Sequence, residues 1–281
     1  FSSYSAKDET GASLFHAQSS TEIDHRYTKF GTNEVRMSKL EDLFRRAATR
    51  TPQPLGFGTA VRDESGSGIL LIGYARSQDI SKSPELSKAD VDAIVLDSGG
   101  KAVSKTAANA LENAVWGSEN AQFDAEGIEK LKGQGCDFLI FDAADTSSMA
   151  VNDDDLSSFL HVSGELDRMT AAAVNVLGFT GLSLVEALEG SSLDVQQLID
   201  LAKLTAQVEG PLLVRGSRVY ATSEITALRN AGVNALLVAL DDADTIREIR
   251  GNMRQVQPKR SSSRSSSWSA LAPHSPDEED E

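Results

Sequence analysis

Four carboxylates lie near the ends of four successive apolar runs in this 281-residue chain. Asp97 falls in DAIVLDS (92–98), Glu119 in NAVWGSE (113–119), Asp142 in CDFLIFDA (136–143) and Glu165 in FLHVSGE (159–165). Arg215 stands near the end of a fifth run, PLLVRGS (211–217), with Ser217 beyond it, and Arg76 follows GILLIGYA (68–75). Side chains of an extended strand alternate between two faces. Leu160 and Val162 suit an apolar packing face, which leaves His161, Ser163 and Glu165 on the other. Asp97, Glu119 and Asp142 take the equivalent position on their runs, and Arg76 continues the face of Leu70, Ile72 and Tyr74. Carboxylates gathered this closely raise one another's pKa unless a cation compensates. Two chemistries follow. The cluster can hold Mg²⁺ or Mn²⁺, which take oxygen ligands. Alternatively, one carboxyl works as acid or base while Arg215 or Arg76 holds an anionic substrate, with no cofactor required. A structural role competes with both: such carboxylates also cap helices or pair with arginine, and Asp97 can simply organise the Ser98-Gly99-Gly100 turn.

Other residue types narrow the chemistry. His161 is the one histidine inside the periodic region, since His16, His25 and His274 lie outside it. A His-rich zinc or iron site therefore has no ligands. On its own, mid-strand, His161 reads as a hydrogen-bonded core residue. No nucleophile-elbow motif supports Ser-His-Asp catalysis. Cys136 opens its run and reads as a small buried hydrophobe, and Trp116 falls on the apolar packing face. Lys101 beside Gly99-Gly100 is a slight signal for anion binding. Asp153-Asp154-Asp155 reads as a helix N-terminus, where the dipole favours negative charge.

These residues need a scaffold that brings strand ends together. Two further β-rich runs, 179–185 and 234–240, complete a set of eight. Helical patterns fall between most of them, clearest at 124–132, 167–177, 194–208, 222–230 and 243–253. Alternating strands and helices imply a parallel sheet, because parallel strands need crossover connections. Eight such units predict a closed α/β barrel, (β/α)8, over residues 68–254. An open doubly wound sheet is the competing architecture, but Ala75-Arg76-Ser77-Gln78 lacks its Gly-rich phosphate turn. Leu40, Leu43, Phe44 and Ala47 keep helical spacing, with Ser38 as N-cap and Glu41 three residues on. Pro52 and Pro54 stop that helix. Residues 37–67 are therefore read as a capping helix and lead-in for the barrel floor. Residues 1–36 are polar and aperiodic, and a start at Met37 is one reading of them; residues 255–281 are Ser-rich, then acidic. Both ends are expected to be disordered.

The segment Pro211 to Leu240, PLLVRGSRVYATSEITALRNAGVNALLVAL, resembles the seventh and eighth units of aldolase-type, phosphate-binding TIM barrels such as indole-glycerol-phosphate synthase and thiamine-phosphate synthase. Ala231-Gly232-Val233 leading into an apolar strand carries much of the likeness, and Gly135-Cys136-Asp137 repeats the turn. The resemblance implies the barrel fold and active residues at the C-terminal strand ends. It also implies two signatures this chain departs from. Where the family binds phosphate on a Gly-rich turn, the chain has Ala239, Leu240, Asp241 and Asp242, without glycine and with two repelling charges. The family's Schiff-base lysine is missing from every predicted strand, leaving only loop lysines such as Lys82, Lys101 or Lys105.

Composition bounds the partners. The formal charge of −15 disfavours nucleic acid and anionic membrane surfaces. A single cysteine permits no internal disulfide and fits a reducing cytoplasm. No apolar run approaches the roughly 20 residues that span a bilayer, and the N-terminus shows no signal-peptide pattern. The expectation is a barrel that acts on a small anionic metabolite, as a lyase or isomerase working through Asp97, Glu119, Asp142 and Glu165. Arg76, Arg215 and Ser217 would bind the substrate. The alternative is a degenerate barrel that serves as a binding or interaction module. An open pocket with Asp142, Glu165 and Arg215 converging favours the first; a carboxylate–arginine network without a cavity favours the second. Oligomeric state is not legible.

Overall fold

The computed structural model describes residues 38–49 and 67–257, apart from 121, 145, 152, 154 and 189. The expected terminal tails and most of the lead-in fall outside the described residues. Eight parallel strands close in sequence order: β1 (Leu70–Arg76), β2 (Ala93–Asp97), β3 (Trp116–Asn120), β4 (Phe138–Phe141), β5 (Ser157–Val162), β6 (Gly181–Leu188), β7 (Leu212–Gly216) and β8 (Val233–Ala239), which pairs back onto β1. The (β/α)8 barrel read from the sequence is the fold. A helix α1 (Lys39–Thr49) precedes it. Then α2 (Ser77–Lys82), α3 (Lys105–Ala110), α4 (Ala125–Gly133), α5 (Arg168–Leu177), α6 (Val195–Gln207), α7 (Thr222–Asn230) and α8 (Ala243–Gln255) follow their strands, and a short 3-10 turn, Ser148–Ala150, serves after β4.

The strands are apolar on both faces because both faces are covered. Leu71, Ile94, Leu96, Leu139, Leu160 and Val162 pack outward against the helices. Leu70, Ile72, Val95, Phe138, Ile140, Phe159, Leu213 and Leu237 fill the interior. Trp116 takes the helix-facing side, and Cys136 is buried, as their positions predict. Burial pushes the Cys136 thiol up to about 12.

Helix α1 seals the floor. Its Leu40 is fully buried against the interior residues, with Leu43, Phe44 and Ala47 packed beside it. Ser38 accepts from the Glu41 N–H at 3.2 Å, the expected N-cap. Glu41 does not close the capping box. It accepts a hydrogen bond from Ser157 at the base of β5, 2.8 Å away. The first two amides of α1, Lys39 and Leu40, donate instead to the Asp137 carboxylate at 2.9 and 2.8 Å.

Three expectations need correction. The fifth strand runs 157–162, not 159–165, because Ser157 and Ser158 are buried and paired rather than turn-forming. Helices α2 and α3 occupy stretches whose polarity gave no helical pattern. Asp153 and Asp155 do not start a helix; they precede β5, and Lys132 reaches Asp153 at 2.6 Å.

Candidate active site

The strand register lines up the carboxyl ends. Arg76 pairs with Asp97, and Asp97 with Glu119, across β1, β2 and β3. Below the mouth most interior positions are apolar, with Ser157 at the base of β5 and Ser183 in β6 as buried polar exceptions. Tyr74 stands above Ile72, Asp97 above Val95, Asp142 above Ile140, His161 above Phe159 and Arg215 above Leu213. Alternation along the strand sets all of them on the interior face at the mouth. Glu119 joins them from β3, above Gly117. A Cβ on Gly117 would sit 2.4 Å from the Phe138 ring, so glycine is what lets that ring fill the layer below.

These six side chains make one network. His161 Nδ1 and Asp142 Oδ1 form a hydrogen bond of 3.1 Å. On the other side of the ring, His161 Nε2 lies 2.9 Å from Glu119 Oε1, close enough for an ion pair but off the hydrogen-bonding direction. Glu119 Oε1 also accepts from the Arg215 guanidinium. That guanidinium stacks 4.3 Å from the centre of the Tyr74 ring, and the Tyr74 hydroxyl donates to Asp97 Oδ2 at 2.8 Å. Asp97 Oδ1 accepts from the Gly99 N–H at 2.7 Å, so this carboxylate does organise its turn. Burial raises the Tyr74 phenol above its ordinary value; Arg215 opposes that shift, and the bond to Asp97 adds to it. Burial works against the charge of Arg215, yet Glu119 and Tyr74 outweigh it and hold the guanidinium above its usual value. The network grades from buried to open: the His161 and Glu119 side chains are 9% and 10% exposed, that of Asp142 51%. Asp142 is therefore the most open of these three.

No protein-family model matches the chain, and no curated protein matches it. Among solved structures, KGPDC from Streptococcus mutans is 12% identical, covers 68% of this chain and 99% of its own, and superposes with a TM-score of 0.52. A thiamine phosphate pyrophosphorylase from Pyrococcus furiosus is 14% identical over 68% of this chain and 98% of its own, with a TM-score of 0.49. The fold is a TIM barrel. At this identity the likeness concerns the fold alone.

Within this TIM barrel, four of the seven candidate residues stand in the network: Asp97, Glu119, Asp142 and Arg215. Glu165 does not. With β5 ending at Val162, Glu165 lies in the following loop, exposed, 4.0 Å from Lys203 and over a small cavity against α6. Ser217 donates its hydroxyl to the Leu188 carbonyl at 3.1 Å and ties β7 to β6. Arg76 is exposed and lines a cleft beside the mouth. Arg215 faces Glu119 rather than open space. In the turn after β8, Leu240 is buried over Gly73, and Asp242 caps α8 through the Thr245 N–H at 2.9 Å. His161 and Tyr74 were not legible as site residues. Their partners come from β2, β3, β4 and β7, which only closure of the barrel brings together. Among the described residues, no three His, Cys, Asp or Glu side chains are arranged to hold a metal ion. The carboxylates point to His161, Arg215 and Tyr74 instead of to one another. No helix among the described residues is long and apolar enough to cross a membrane.

Proposed function

We propose that this barrel is a proton-transfer enzyme of the lyase or isomerase class, acting on a small anionic metabolite at the mouth. The observation that supports this reading is the Asp142–His161–Glu119–Arg215 network, which ends in a half-exposed carboxylate. Asp142 takes a proton from a substrate carbon next to a carbonyl or carboxylate. His161, whose Nδ1–H donates to the ionised Asp142 at 3.1 Å, orients that carboxylate, and Asp142 gives the proton back to the product carbon. Glu119 and Arg215 position the imidazole from the far side. Buried ion pairs are a poor means of stabilising a fold, since apolar residues of similar volume do as well or better. Their presence at the end of the barrel where this fold reacts supports a functional role.

Solvent deuterium exchange tests the proposal. Oxo acids, hydroxy acids and sugar phosphates are incubated with the protein in D2O and followed by proton NMR. At least one substrate should exchange a C–H, and Asp142→Asn and His161→Gln should each slow that exchange by about 100-fold or more. Lys203→Ala on α6 should leave it unchanged. Exchange that persists in both network variants sinks the assignment.

A second reading has its own support. At the mouth the His161 and Glu119 side chains are packed together with Arg215 across them, and little of either is exposed. A mouth filled by its own side chains suits a non-catalytic binding module. Ligand-induced thermal stabilisation without C–H exchange for any metabolite favours that reading over catalysis.

A further inference from the structure

Where the resembled family binds phosphate, after β8, this chain places Leu240 and Asp242, but a cationic cleft opens on another part of the rim. It has a volume of about 660 Å³ and lies between the loops after β1 and β2. Arg76 at the end of β1, Lys82 on α2 and Lys101 after β2 all line it. Among the described residues, none of the three makes an ion pair. The one carboxylate in the wall, Asp97, already accepts from Tyr74 on one oxygen and from the Gly99 N–H on the other. In a chain of formal charge −15, three unpaired cations around one concavity focus a positive field against the general trend.

A second cavity of about 330 Å³ adjoins the cleft and shares Ser98, Lys101 and Ala102 with it. It runs between the outer face of β3 and helix α4. Ser118 is fully buried there, and its hydroxyl has no hydrogen-bond partner; neither the Oε1 nor the Nε2 of Gln134 has one either. Buried polar atoms are costly to leave unpaired, and three lining one cavity call for a polar occupant.

We infer that the two cavities form one off-axis site for a small organic phosphate. The phosphate sits among Arg76, Lys82 and Lys101. The hydroxyl-bearing body reaches past Lys101 to Ser118 and Gln134, each able to donate and accept. The site stands whether or not the mouth is catalytic, because it shares only Asp97 with the network.

Titration calorimetry on the full chain separates the parts, using inorganic phosphate, glucose 6-phosphate, citrate and glucose as probes. Inorganic phosphate should bind with an affinity that falls as salt rises, and Arg76→Ala and Lys101→Ala should each weaken it by about tenfold. Both side chains lie on the surface, so the variants should fold, and matching thermal transitions would show that they have. Glucose 6-phosphate should bind more tightly than inorganic phosphate, with the gain lost in Gln134→Leu, while inorganic phosphate binds that variant as before. Glucose alone should bind far more weakly than either, since it lacks the charged group. His161→Gln should bind both phosphates as the parent does. Phosphate binding unaffected by Arg76→Ala and Lys101→Ala overturns the cleft. Citrate binding as tightly as glucose 6-phosphate overturns phosphate as the ligand class. Equal affinity for phosphate and glucose 6-phosphate overturns the two-part site, leaving water as the occupant of the inner cavity.

Discussion

At the scale of single residues, the most strongly shifted carboxylate among the described residues lies outside the mouth. Glu224, near the start of α7, takes hydrogen bonds from Arg218 at 2.7 and 3.0 Å and from the Ala221 and Leu193 amides. The Arg218 contact is the chief cause that holds its carboxyl down at about 2, from an ordinary 4.5. Arg218 in turn stacks 4.3 Å from the centre of the Tyr220 ring, so one ion pair fixes the loop after β7. A depressed folded-state pKa stabilises above the unfolded value and loses that contribution as pH falls through the folded one. Urea unfolding between pH 5 and about 2 should therefore show the parent losing stability relative to Glu224→Gln, by about 1–3 kcal/mol. Parallel pH profiles for the two proteins would argue that the pair adds nothing. Little of this was visible in sequence. Arg218 and Glu224 are six residues apart, and nothing in RVYATSE distinguishes a pair from two solvated charges. The same difficulty hid His161. A lone histidine in an apolar strand acquires meaning from Glu119 and Asp142, which lie 42 and 19 residues upstream.

At the scale of elements, Asp137 is the joint between floor and barrel. Its carboxylate takes both first amides of α1, and the side chain sits at the base of β4, almost fully buried. Asp137→Ala leaves those two donors unpaired at a buried helix end. The expected loss is about 0.5–2 kcal/mol, with Asp137→Asn recovering part of it. Hydrogen exchange at the Lys39 and Leu40 amides should quicken more than exchange in β1 or β8. Uniform loss of protection would mean that α1 is no separate joint. Elements with an apolar signature were legible in the chain, and those held by polar contacts were not. The eight strands were found because most are apolar runs buried on both faces, though β3 reads WGSEN and β6 exposes Val185 and Glu186. Helices α4 to α8 were found because each presents an apolar stripe. Helices α2 and α3 are six residues each, too short to show a period, and α2 buries only Ile80. The start of β5 was missed because Ser157 and Ser158 are polar and carry no apolar signal; Glu41 and Thr180 satisfy them within the folded chain.

At the scale of the whole molecule, the mouth network is a local exception to an otherwise self-sufficient fold. The apolar layers beneath it, from Leu70 to Leu237, close the barrel without any help from Glu119 or Arg215. A charge pair placed on a finished core is held there at some cost in desolvation, which its own attraction only partly offsets. This separates two kinds of substitution. Arg215→Met leaves Glu119 facing the imidazole without its cation, and Glu119→Leu leaves Arg215 against the Tyr74 ring without its anion. Each single change should destabilise, by about 3–5 kcal/mol if the mouth stays dry. Changing both together replaces the pair with apolar volume continuous with the layer below. The double variant should then be more stable than either single one, and close to the parent. A double-mutant cycle by urea unfolding reads this coupling directly. Ligand-dependent proton exchange should be slowed in all three variants, because each breaks the Glu119–Arg215 pair that positions His161. Simple additivity of the two single losses would mean that the groups stabilise the barrel independently. It would also remove the thermodynamic reason for assigning the network to function rather than to the fold.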